Sequence, residues 1–241
     1  MLPSFTLLAH RAVIALAIGA PSLCAAAAPL IAIDAGHTLA ARGARAAVDG
    51  RNELEFNVDL SRKIAQRLAA QGDRLRMAND PVRAKENFAQ RTSAGKGADF
   101  FLSVHHDSAS EKYLQQITDA NGKRWEDRDG RFQGFSLFVD PADAKGVACA
   151  RAIGARMIES GERPSRYHAD PRFGESRAFV DEKLGVHAFA GLAVARLRQA
   201  PMALLEAGVI VNPAESIRLR RPEVQDAIAS AVALGLKDCR P

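Results

Sequence analysis

"FFLSVHHDS" (residues 100–108) begins as an apolar run and ends in two adjacent histidines and an aspartate. Phe100, Phe101, Leu102 and Val104 show no polar–apolar alternation, as expected of a strand buried on both faces. "LIAID" (30–34) has the same character. Successive side chains on a strand point to opposite faces, so His105 and His106 cannot share one while the strand lasts. The stretch therefore raises two questions. One is whether the chain builds a covered sheet, and the other is whether a histidine at the end of it is a ligand.

Further β-type runs occur at "DRLRMA" (73–78), "GFSLFVD" (134–140) and "APMALLEAG" (200–208). Helical patterns fall at 53–71, 84–97, 142–160, 186–198 and 213–235. This alternation predicts an α/β fold: a single domain with a mostly parallel or mixed twisted sheet and helices on both faces. A chain of 241 residues, 47% of them hydrophobic, has the apolar material for one such core. Ligands of such sheets bind beyond the carboxyl ends of the strands. Three of those ends deliver His37, His105–His106–Asp107 and Glu206.

The pattern at 53–71 adds another group. Leu54, Val58, Ile64, Ala65 and Leu68 share a face, and Asn52 with Glu55 has capping-box spacing. Glu53 then has two readings: an acid favoured by the helix dipole, or a carboxylate directed out of the helix mouth towards His37. Two histidines, one carboxylate and an open position make a catalytic zinc site, which needs a separate proton carrier. His37, Glu53 and His105 would be the ligands and Glu206 the carrier. Competing chemistries lack their motifs. There is no G-x-S-x-G, no cysteine sits in a motif with a histidine, and "DAGHTLAARGAR" lacks G-x-G-x-x-G spacing.

The 33 Lys and Arg outnumber the 28 Asp and Glu by five but are scattered, which argues against a nucleic-acid groove and suits a polyanionic envelope. Residues 1–28 read as a secretory signal peptide: Arg11, an apolar stretch from Ala12 to Ala20, then small residues with A-x-A options. Residues 29–241 would be the domain, periplasmic or secreted, with no stable membrane span after processing. Export favours pairing of Cys149 with Cys239, with two inert thiols as the alternative. His187 lies in a helical pattern as a packing or surface residue. His168, in "SRYHADPRFGES" (165–176), either lines a groove or belongs to a solvated loop.

Four blocks now carry a specific resemblance: "IAIDAGHTLAARGA" (31–44), "NELEFN" (52–57), "RTSAGKGADFFLSVHHDS" (91–108) and "LLEAGVIVNPAE" (204–215). In this order they resemble the signature blocks of the zinc-dependent N-acetylmuramoyl-L-alanine amidases, exported enzymes that strip stem peptides from peptidoglycan. The resemblance spans most of residues 30–235. It implies one zinc per chain, held by His37, Glu53 and His105, with Glu206 as catalytic proton carrier. The implied reaction is cleavage of the amide between N-acetylmuramic acid and L-alanine. Peptidoglycan or a muropeptide would be the substrate, and the protein a monomer.

By the same resemblance His105 is the ligand and His106 a pocket group behind it. Ala35, Thr38, Ala78, Asn79, Val209 and Val211 depart from the family pattern, which questions substrate fit more than chemistry. Asn212 and Glu215 read as a capping box with no catalytic role. Some relatives carry a long helix that occludes the metal, but here two helical patterns and a loop already fill 141–200, so activity without a partner is expected. The alternatives are a zinc amidase or peptidase on soluble muropeptides, and a catalytically silent envelope-binding module.

Overall fold

The structure, a computed structural model, describes residues 27–240 except 81, 86, 121, 174 and 175. Nearly all of the expected signal peptide lies outside the described residues. Along the chain run β1 (Leu30–Ala35), α1 (Glu53–Ala70), β2 (Arg74–Met77), α2 (Phe88–Thr92), β3 (Phe100–Asp107), β4 (Gln115–Asp119), β5 (Gly122–Glu126) and β6 (Ser136–Val139). These are followed by α3 (Ala144–Glu159), β7 (Phe179–Asp181), β8 (Val186–Ala188), α4 (Ala193–Arg196), β9 (Met202–Val209), α5 (Pro213–Arg218) and α6 (Pro222–Cys239).

The fold is a single α/β domain around a mixed sheet of order β2-β1-β3-β9-β6-β8-β7. The four strands from β2 to β9 are mutually parallel, and β6 pairs antiparallel to β9. One sheet face carries Ile31, Ile33, Phe100, Leu102, Val104, Ala203 and Leu205, which pack on α1, α3 and α6. The other carries Ala32, Phe101, Phe138, Met202 and Leu204, covered in part by α4. Burial on both faces is why β1 and β3 read as continuous apolar runs. Beneath the strand ends, Arg91 and Asp34 form a fully buried ion pair, Nε–Oδ1 2.9 Å, with Ser103 Oγ donating to the same carboxylate at 2.8 Å.

Several expected elements differ. The pattern at 186–198 is not a helix. Gly185 turns the chain at φ +67°, Val186 and His187 pair with Leu137 and Phe138 as β8, and only Ala193–Arg196 is helical. His187 is accordingly a fully buried strand residue. The helix expected over 213–235 breaks at Pro222, which holds Arg221 at ψ 128° and starts α6 afresh. The helix over 84–97 shrinks to α2 and a 3-10 turn, capped by Asn87 and ended before Gly97 at φ +70°. Neither capping box forms. Asn52 Nδ2 donates to Glu55 Oε1 instead of either side chain binding helix amides. Asn212 does cap α5, but Glu215 accepts from Gly134 N and Val209 N.

Cys149 and Cys239 are bridged, Cα–Cα 5.0 Å, tying α3 to the end of α6. The interval 141–200 holds α3, two 3-10 turns, β7, β8 and α4. No helix among the described residues is long and apolar enough to cross a membrane.

Candidate active site

The site lies where β1, β3 and β9 end and α1 begins. His37 follows β1 through Gly36 and adopts φ +72°, a left-handed conformation that a side chain disfavours. Asn79 over-determines that turn by donating Nδ2 to the carbonyls of both Ala35 and His37, each at 2.7 Å. His37 Nε2 thereby reaches Glu53 Oε2 at 2.8 Å. On the other side of the carboxylate, His105 Nδ1 lies 3.0 Å from Glu53 Oε1. The candidate ligand atoms of His37, Glu53 and His105 all fall within 4.8 Å of one another, the one such metal-type group among the described residues.

The backbone is shaped around this group. A Cβ on Gly36 would sit 2.3 Å from the His105 ring, and one on Gly43 would sit 2.3 Å from Glu53 Oε2 and 2.7 Å from His37 Nε2. Glu53 is 5% exposed, and its carboxylate accepts from Ala44 N at 3.2 Å and Asn57 Nδ2 at 3.2 Å. Burial would raise its pKa, but hydrogen bonds from His105 and His37 hold it far below the usual carboxylate range. Burial also disfavours the charged form of His37, which lowers its pKa, yet the hydrogen bond and charge of Glu53 carry it above the ordinary value. Such a mutual pull between imidazoles and a carboxylate is what a shared cation would replace. Two imidazole nitrogens and one carboxylate oxygen, with a face open to a cavity, fit a catalytic divalent metal of the zinc type.

The two histidines that opened the sequence separate as alternation requires. His106 is buried behind the group, its Nδ1 donating to Asn57 Oδ1 at 2.8 Å and its ring 5.3 Å from that of Phe56. Burial drives its pKa down to about 3, so it stays neutral. It supports Glu53 through Asn57 and is not part of the three-residue group. Glu206 is the in-register neighbour of His105 on β9, so both side chains leave the same sheet face. A bulge follows immediately: His105 pairs with Glu206, but Asp107 pairs with Val209. Gly208 sits in this bulge, where a Cβ would meet Leu219 at 2.7 Å.

An open cavity of about 310 Å³ joins these residues, lined among others by His37, Glu53, His105 and Glu206. Sequence reasoning missed Arg177 and Phe189, which line the same cavity. Of the two readings of His168, the groove holds: it is 2% exposed, not a solvated loop residue, lines the cavity, and its Nε2 lies 2.6 Å from Asp107 Oδ2. Tyr167 hydroxyl donates to the same carboxylate. The adjacent aspartate in "HHDS" was the available signal.

The comparisons with known proteins bear on the fold and on the family. No curated protein matches the sequence. Among solved structures, the apo N-acetylmuramyl-L-alanine amidase Ami1 from Mycobacterium abscessus superposes with a TM-score of 0.68 at 18% identity, covering 88% of this chain and 99% of that one. Ami1 from Mycobacterium smegmatis gives 0.67 at 19%, covering 88% and 96%. The amidase AmiC2 of Nostoc punctiforme gives 0.64 at 19%, covering 88% and 98%. At these identities the likeness is one of fold. The family model described as N-acetylmuramoyl-L-alanine amidase matches residues 31–238, from the first strand of the sheet to the last turn of α6, and on that match the chain belongs to the N-acetylmuramoyl-L-alanine amidase family.

Proposed function

We propose that the protein is an exported, zinc-dependent amidase that hydrolyses the bond between the lactyl group of N-acetylmuramic acid and the L-alanine of the stem peptide. The observation that carries this reading is the convergence of His37, Glu53 and His105 on one point, with Glu206 facing the same cavity. His37, Glu53 and His105 would hold the metal. Zinc held there would supply polarisation of a carbonyl and would lower the pKa of a bound water to about 7.

The chain's own residues do the rest. Glu206 takes a proton from the attacking water and delivers it to the departing amine, so the amide and one water become a carboxylic acid and an amine. Asn57 and Ala44 N keep the Glu53 carboxylate aimed, and Asn79 keeps His37 in its left-handed turn. His37 and His105 remain partly exposed, with 28% and 15% of their side chains accessible, as suits a polymer laid across the site. Residues 1–28 would direct export to the periplasm or exterior, and 29–241 would act as a monomeric catalytic domain. That domain would need no activator: among the described residues of 141–200 the helices are α3, which packs on the core, and the short α4, leaving little chain for a further helix over the group.

The test is digestion of purified sacculi by zinc-loaded mature protein, with mass analysis of the soluble products. Free stem peptides beginning with L-alanine are expected. Products cleaved only within the peptide would instead indicate a peptidase, and tight binding without release an envelope-binding module.

A further inference from the structure

A second cavity, of about 210 Å³, opens beside the one over the metal-type group, and Ser108 lines both. Gly43 also lines it, and a Cβ there would stand 2.3 Å from Glu53 Oε2 and 2.7 Å from His37 Nε2. Ala44, the next lining residue, donates its N–H to Glu53 Oε2 at 3.2 Å. The cavity therefore begins one residue's thickness from two of the three proposed ligands. His105, whose neighbour on β9 is Glu206, stands instead at Oε1 of the same carboxylate.

The β4–β5 hairpin contributes Trp125, the one tryptophan of the chain, to the lining of this cavity. Trp125 is partly buried, yet it packs in none of the hydrophobic clusters, and across the hairpin it pairs with Gln116. Among the described residues no ring or cation stacks on its indole and no hydrogen bond engages its side chain. Its position is nonetheless fixed. Arg45 Nη1 donates to Lys123 O at 2.9 Å, Arg124 Nε donates to Ala47 O, and Asp127 N donates to Val211 O at 2.8 Å. These bonds tie the hairpin to the loop before α1 and to the segment after β9. An indole has a broad apolar face and a polar edge, and one held this way loses little freedom on meeting a ligand. Ser108, Glu111 and Lys123 make other parts of the lining polar. An aromatic platform with a polar rim suits a sugar ring, whose C–H groups crowd a face and whose hydroxyls ring the edge.

The geometry of the substrate decides which half of it lies here. The lactyl ether places the sugar three bonds from the scissile carbonyl carbon, roughly 4 Å at ~1.5 Å per bond. The sugar therefore lies against the metal-type group itself, within reach of Gly43 and Ala44. Glu206, which hands a proton to the departing amine, lines the first cavity and not the second. The peptide half leaves through the first cavity, and the second is left for the acyl half. Its volume holds about one sugar ring.

We propose that the cavity between the 43–47 loop and the β4–β5 hairpin is the subsite for the N-acetylmuramic acid ring, with Trp125 as the face on which that ring stacks. The inference rests on the amidase reading and deepens it. The enzyme then recognises the sugar beside the scissile bond as well as the bond.

Because the chain has one tryptophan, tryptophan fluorescence of the zinc-loaded protein reports this site alone. N-acetylmuramic acid should change that emission saturably, while L-alanyl-D-isoglutamine, the peptide half, should not. Turnover is compared on N-acetylmuramoyl-L-alanyl-D-isoglutamine and on D-lactoyl-L-alanyl-D-isoglutamine, which keeps the amide and lacks the sugar. Wild type is expected to favour the sugar-bearing substrate in kcat/KM by about threefold to tenfold, the scale of one aromatic stacking contact. In Trp125→Ala that ratio should fall towards one, and Trp125→Phe should keep part of it. Emission that ignores the sugar, or answers to the peptide half instead, overturns the proposal. Equal wild-type turnover of both substrates does the same, as does a full sugar preference surviving in folded Trp125→Ala. Cleavage of neither substrate, or only within the peptide, counts against the amidase reading, and the fluorescence titration still decides the subsite. If Trp125→Ala does not fold, the Trp125→Phe ratio and the wild-type titration decide.

Discussion

Gly43→Ala tests whether the loop before α1 is built around a metal site. Gly43 adopts φ +75°, so a methyl there incurs the left-handed penalty of roughly 1–2 kcal/mol. The added Cβ would also fall short of ordinary contact with Glu53 Oε2 by about 1 Å, and nearly as much with His37 Nε2. Neither can yield easily. Glu53 is 5% exposed and held by Ala44 N and Asn57, while the His37 carbonyl is fixed by Asn79. Relief therefore comes by displacing a ligand atom. Disturbing the support of a metal ligand typically costs about 10–100-fold in affinity.

Gly72→Ala is the control. Gly72 sits at φ +91° with no atom within 4 Å of its would-be Cβ, so it bears the backbone cost alone. Both variants should lose stability as apo proteins, about 2–4 °C in Tm per kcal/mol for a chain of this size. Only Gly43→Ala should also lose zinc affinity, measured by competition with a chromogenic chelator. Equal zinc affinities for the two variants would refute the reasoning.

Reduction of the Cys149–Cys239 bridge, which closes a separation of 90 residues, should lower stability by about 4.5 kcal/mol in the chain-entropy model, read from urea midpoints with and without reductant. Identical midpoints would deny the bridge that role. Burial holds the pKa of His187 near 4 and that of His106 near 3, both below the unfolded value of 6.5. The unfolded chain therefore takes up protons that these rings refuse, and their contribution to stability is lost as pH falls below about 6.5. Between pH 7.5 and 5 the apo protein should lose less stability in His187→Gln than in wild type, and an unchanged slope would contradict this. Glu206→Gln should fold, keep its zinc and bind substrate while turnover drops about 10²–10⁴-fold. Near-normal turnover would remove Glu206 from the chemistry.

The parts of this molecule legible in its sequence are those where one local signal sufficed. Continuous apolar runs identified β1, β3 and β9 because both sheet faces are covered, and the residues ending those runs proved to be neighbours. Failures came where a distant partner decided. Val186 and His187 are strand because Leu137 and Phe138 offer an edge, which no periodicity within 186–198 could announce. The β4–β5 hairpin stands apart from the main sheet, and its "QQITD" and "GKRWE" lack the apolar alternation that marks a strand packed on a core.

The site divides along the same line. His37, Glu53, His105 and Glu206 sit at element ends, positions that topology alone brings together at one edge of a parallel sheet. Gly43, Asn57 and Asn79 are defined by what they touch, and each reads in isolation as a turn or helix residue. The other cavity residues are harder still to read. His168 and Arg177 come from a connection with little regular structure, and a chain of contacts from Asp107 through His168 to the Phe138 and Phe189 rings fixes their place. A loop pinned by buried histidines is costly to position, since each must stay neutral or find a carboxylate, and His168 finds that of Asp107 at 2.6 Å.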